Sequence, residues 1–214
     1  MNTTSSTSST SSTAGTQARS TGGETIEDVL LDELTDLLDA EKQLVTALPK
    51  VAEAVSSDEL REAINSHLEE TKAQQKRLEK ALEKLGKPAR NRSSGGMKSL
   101  VAECEGVIAL KCPETVKDAA LIGAAQRIEH YEIAGYGCAR AFAEMAGQRE
   151  IVELLDETLE EEQEADHRLT EIAMSTVNAD AAADQDDDDN GDHELPGADS
   201  SQSKRRKGKH ARRR

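Results

Sequence analysis

Apolar residues recur every three or four positions through four long stretches of this sequence, and a stripe of that period is buried on one side only if the segment is helical. The first stretch runs from Glu24 to about Val55, with Ile26, Val29, Leu30, Leu34, Leu37, Leu38, Leu44, Val45 and Leu48 on one face. The second runs from Asp58 to Leu85 and carries Leu60, Ile64, Leu78, Leu82 and Leu85. The third opens at Glu114 after Pro113 and ends at Gly147. The fourth, from about Gln148 to Met174, carries Ile151, Leu154, Leu155, Leu159, Leu169 and Ile172. Pro49 lacks an N–H and is expected to bend the first helix near its end. Ser56-Ser57-Asp58 reads as a turn with a helix cap, and Gly86-Lys87-Pro88 as a stop. Residues 97–110 read as a short extra helix in the long connection. Helices of this length span roughly 40–50 Å at about 1.5 Å per residue, ample for one core. Two long hairpins joined by a crossover predict an all-α, up-and-down four-helix bundle.

The flanks differ. Residues 1–23 are mostly Ser, Thr and Gly without Leu, Ile, Val or Phe, so they are expected to stay disordered and offer no apolar stretch for a secretory signal. Residues 24–174 form the expected folded domain. Residues 175–214 read as a second disordered tail, acidic through Asp186–Asp189 and basic from Lys204 to Arg214. The net charge of -15 argues against a surface that coats DNA, but the basic end at 204–214 keeps phosphate binding open as an alternative. No apolar run is long enough to span a membrane. Cys104, Cys112 and Cys138 are odd in number and lack a C-x-x-C spacing, which suits reduced thiols in a cytoplasmic protein.

Charged residues stand on the apolar stripes. A buried carboxylate is costly unless it is paired or binds a metal. Glu41 is in phase with Leu34, Leu37, Leu38, Leu44 and Leu48. His67 and Glu70 lie one turn apart beside Ile64, Thr71, Gln74 and Leu78. Gln126, Glu129 and His130 share the face of Ile122 and Ile133, with Glu132 at its border. Glu162 and Asp166 continue the stripe of Leu155 and Leu159. Each residue alone has an ordinary explanation, as a helix-edge glutamate or a satisfied core histidine. Their heights argue otherwise. The point midway between Glu41 and Glu70 falls beside Ser56-Ser57, and that between Glu129 and Glu162 falls beside Gly147. Each antiparallel hairpin therefore offers two carboxylates at one level. Joining the hairpins surrounds one centre with Glu from every helix, plus His67 and Asp166, which is the ligand supply of a di-iron carboxylate bundle. Carboxylates with imidazole suit iron or manganese.

At these residues the chain resembles the YciE/YciF family of bacterial ferritin-like stress proteins. The resemblance lies in Asp39-Ala40-Glu41-Lys42-Gln43-Leu44, His67-Leu68-Glu69-Glu70-Thr71, Glu129-His130-Tyr131-Glu132-Ile133-Ala134 and Thr158-Leu159-Glu160-Glu161-Glu162. It covers residues 24–174, and both tails fall outside it. It implies a ferritin-like fold, a centre of two iron ions (or manganese) per subunit, oxidation of Fe(II) by oxygen or peroxide under stress, and a homo-oligomer, most simply a dimer. The expected metal ligands are Glu41, His67, Glu70, Glu129, Glu132, Glu162 and Asp166, with Gln126, His130 and Tyr131 as groups that orient ligands or carry protons. Ordinary ferritins carry Glu-x-x-His on their second and fourth helices. Here Ala73 follows Glu70 and Ala165 follows Glu162, so the centre is richer in carboxylate. A non-catalytic stress protein acting through its surface is the rival expectation.

Overall fold

The computed structural model describes residues 25–189. The chain runs through α1 (Ile26–Ala54), α2 (Asp58–Leu85), α3 (Gly95–Ile108), α4 (Glu114–Met145), α5 (Arg149–Ile172), a π-helical turn (Ala173–Val177) and α6 (Asn178–Asp189). Among the described residues there is no strand, and no helix is long and apolar enough to cross a membrane. The helix ends follow local chemistry. Thr25 Oγ1 caps α1 by accepting from the Asp28 N–H, and Ser57 Oγ caps α2 through the Leu60 N–H. Gly86 and Gly147 close α2 and the α4–α5 turn at φ of 69° and 72°, a region that glycine enters without a Cβ penalty. Pro49 sits inside α1, which continues to Ala54.

α1 and α2 form one hairpin and α4 and α5 the other; α1 packs on α4 and α2 on α5. The crossover between them carries α3, which lies against α1 and α4. Acidic residues along α1 tie the crossover down. Asp32 pairs with Arg90, Asp39 Oδ2 accepts from the Ser94 N–H at 2.7 Å, and Asp36 Oδ2 accepts from Ser94 Oγ and from the Tyr131 hydroxyl. Asp118, near the start of α4, reaches the opposite turn. Its carboxylate accepts from the backbone N–H groups of Ser56 and Ser57 and from Ser56 Oγ, at 2.7–3.2 Å.

Two apolar clusters fill the ends of the bundle. One holds Leu30, Leu34, Leu78, Tyr136 and Ile151; the other holds Val51, Leu60, Leu121, Leu169 and Val177. A third, with Leu44, Met97, Cys104 and Ile128, sits under α3. The polar layer lies between these clusters.

The structure corrects the expected end of the folded region. Helix continues past residue 174 to Asp189, and Val177 is buried in the second cluster while α6 packs on α4. Val177 is the reason: the charge block begins only at Asp180, so the preceding residues still have apolar surface to bury. The expectations for residues 1–23 and for the basic end at 204–214 lie outside the described residues.

Candidate metal centre

Each long helix of the bundle contributes to the polar layer. The Glu41 carboxylate comes from α1, His67 from α2, Glu129 and Glu132 from α4, and Glu162 from α5; all five are buried. One ligating atom from each of His67, Glu129, Glu132 and Glu162 can be chosen so that all lie within 4.8 Å of one another. His67 Nε2 lies 3.5 Å from Glu129 Oε1 and 4.0 Å from Glu162 Oε2. Glu41 flanks this group beside Glu132, held by a hydrogen bond that the Tyr136 hydroxyl donates to its Oε1.

Burial pushes these carboxyls upward. Glu41 rises from 4.5 to about 8, through burial and then the Glu162 charge. Glu129 rises to about 8 as well, through burial and the repulsion of Glu41. Glu132 and Glu162 are held well above the glutamate range, again chiefly by burial. His67 moves the other way from an ordinary buried histidine. Burial opposes its charge, but the adjoining Glu70 carboxylate and the Glu162 and Glu41 carboxylates outweigh it and raise its pKa.

The remaining polar atoms make the chemistry plain. His67 Nδ1, Glu41 Oε2, Glu129 Oε2 and both oxygens of Glu132 and of Glu162 are buried without a hydrogen-bond donor or acceptor. Among the described residues, no Lys or Arg forms an ion pair with Glu41, Glu129, Glu132 or Glu162. Buried polar groups are ordinarily satisfied, so a set this dense calls for protons or a cation. A carboxylate-rich set with one imidazole nitrogen fits a hard or borderline divalent ion.

The other expected residues stand around this core. Glu70 is at its edge, 41% exposed, with Oε2 at 3.5 Å from His67 Nδ1; that contact lowers its pKa. Asp166 lies apart from the group of four. Its Oδ1 accepts from Gln126 Nε2 at 3.0 Å and is 3.5 Å from His130 Nε2, and His130 is 69% exposed. Tyr131 serves the crossover through Asp36 and Ser94 rather than the centre. Glu132, placed by its phase at the border of the stripe, is fully buried. The expected site residues included neither Tyr136 nor Gln74. Tyr136 is four residues after Glu132 and seven after Glu129, the spacing that could have flagged it. Gln74 is fully buried, its Nε2 donates to Glu161 Oε2, and its Oε1 has no partner.

Comparison with known proteins agrees with this architecture. Residues 25–182 match the family described as Domain of unknown function (DUF892). The chain belongs to this family. Within reach of this DUF892 chain is Protein YciF of Escherichia coli (strain K12), 44% identical over 156 residues, covering 72% of this chain and 94% of that protein. The crystal structure of the E. coli stress protein YciF superposes with a TM-score of 0.71 at 43% identity, covering 73% of this chain and 99% of that one. YcfI from Rhodopseudomonas palustris gives 0.67 at 38% identity, covering 72% and 96%. A protein from Xanthomonas campestris pv. campestris gives 0.60 at 23% identity, covering 75% and 99%, and shares the fold.

Proposed function

We propose that this DUF892 protein binds two iron ions in the polar layer and oxidises Fe(II) with dioxygen or peroxide, as part of a response to stress. The observation that carries the reading is the set of buried, unpartnered carboxylate and imidazole atoms at one level of the bundle. His67, Glu129, Glu132 and Glu162 would hold the metal, with Glu41 and Glu70 completing the set. The carboxyls face one another as Glu41 with Glu132 and Glu129 with Glu162, and two such pairs suit two cations. Iron bound there supplies one-electron redox chemistry at each of two neighbouring ions. The chain's own part is to desolvate and orient. Tyr136 fixes the Glu41 carboxylate from the apolar side, and Glu70 links the buried His67 ring to solvent, where it can pass a proton at Oε2. Kinship with a stress protein supports the physiological setting.

The test is an anaerobic Fe(II) titration of the metal-free protein followed by air or peroxide. Two irons per chain and a rapid near-ultraviolet rise from Fe(III), both lost in Glu129→Ala and Glu162→Ala, are expected. Absence of tight Fe(II) binding would refute the proposal. It would leave the non-catalytic reading in its place.

A further inference from the structure

A cavity of about 200 Å³ lies directly against the His67–Glu129 side of the polar layer. Its walls come from every helix of the hairpins and from α3. Leu44, Leu48, Val51, Ile64, Ile128 and Leu169 make it predominantly apolar. Its exposed lining residues, Ser66, Glu164 and Arg168, belong to α2 and α5, so it opens between those helices. Half-buried Glu70 stands at the same opening and touches His67. The inner end therefore meets the cluster and the middle is hydrocarbon.

Neither metal binding nor bundle packing asks for such a space. A divalent cation gains nothing from a wall of leucine, isoleucine and valine, and a core of this density ordinarily leaves few voids larger than a water molecule. Apolar cavities of about 150 Å³ stay dry and take up apolar guests such as benzene or xenon. Hydrogen peroxide, with two hydroxyl donors, would have to give up its water partners to enter. Dioxygen has no such partners to lose.

We propose that this cavity is a dioxygen chamber, which makes O2 rather than peroxide the oxidant that the polar layer is built to receive. This rests on the iron-oxidation reading and names its oxidant. Dioxygen takes one electron from each of two Fe(II) and two protons from solvent, and leaves as H2O2, while both irons become Fe(III). The product is a poor guest for the same apolar wall and is driven toward the polar mouth at Glu70 and Glu164. The chamber thus admits the substrate and rejects the product on one physical ground.

Two experiments on the full chain test this. Xenon is first added to the metal-free protein and followed by ¹²⁹Xe chemical shift or by xenon-pressurised crystals. One saturable site lined by Ile64 and Ile128 is expected, lost in Ala125→Leu, whose added side chain fills the cavity. No xenon site in the wild-type chain overturns the chamber and leaves the iron reading standing. Then Fe(II)-loaded wild type and Ala125→Leu are mixed with O2 or with H2O2. The variant should lose about tenfold in the rate with O2 and far less with peroxide. Equal losses with both oxidants, or none with O2, overturn the proposal. Should Ala125→Leu fail to fold, competition between xenon and O2 in the wild-type chain gives the same decision: xenon must slow O2 and spare peroxide. Failure to bind iron refutes the reading beneath, and the xenon result reports on the cavity separately.

Discussion

Glu132 is wholly buried, and neither of its oxygens has a partner. In the metal-free protein burial, and then the neighbouring Glu41 and Glu162, oppose its charge and push its carboxyl well above the glutamate range. Glu132→Gln should therefore act in opposite senses. It should stabilise the metal-free protein near pH 8 by on the order of 1 kcal/mol, and weaken divalent metal binding by more than about tenfold. Thermal melts and metal titration of the same variant decide it; a loss of stability without metal would contradict the assignment. Tyr136→Phe removes the hydroxyl that donates to Glu41 and leaves that carboxylate with two unpartnered oxygens. A loss of about 1–3 kcal/mol in chemical denaturation is expected. The same residues give the pH dependence. Glu41 and Glu129 stand at about 8 in the folded chain against an ordinary value of 4.5. The folded state thus keeps protons that the unfolded state releases. Their contribution is present in full below about pH 4.5 and is lost as the pH rises through about 8. Tm of the metal-free protein should fall between about pH 5 and pH 8, and a saturating divalent ion, which binds only the folded site, should offset the fall. A flat profile without metal would count against burial of these carboxylates.

At the scale of the elements, the hairpins are joined by polar contacts that no periodicity reveals. Asp118 of α4 holds the α1–α2 turn through four contacts to Ser56 and Ser57, from a position that is almost wholly buried. Replacing it strands backbone donors at the start of α2. Asp118→Ala should cost about 2–4 kcal/mol, and Asp118→Asn less, since the amide oxygen still accepts. Equilibrium unfolding measures both; equal costs would show that charge, rather than acceptance, matters there. The helices themselves were legible. Stripe, cap and stop placed α1, α2, α4 and α5 to within about two residues, because each signal acts within one turn of its own helix. Asp118 escaped notice because its partners are about sixty positions away in the chain, at 61 and 62 residues.

For the whole molecule, the boundary of the fold is the point of contrast. Ending the chain after Met174 would remove Val177 and the packing of α6 on α4. That truncation should melt several degrees below one that ends after Asp189, by about 1–3 kcal/mol for the lost apolar burial. Equal melting temperatures would place the functional end of the bundle at Ile172. The sequence by itself determined the helices, their pairing into two hairpins and the level at which charged residues interrupt the leucine stripes. Those are consequences of a fixed helical period and of turns that lie midway between facing residues. Only the tertiary structure decided which charges converge. His67, Glu129, Glu132 and Glu162 meet, Asp166 turns toward Gln126, and Glu70 stays at the edge. A residue's phase fixes its face within about one position, whereas convergence depends on how two hairpins rotate and slide against each other. That choice is made by packing in the apolar clusters above and below, and the same packing left the cavity beside His67.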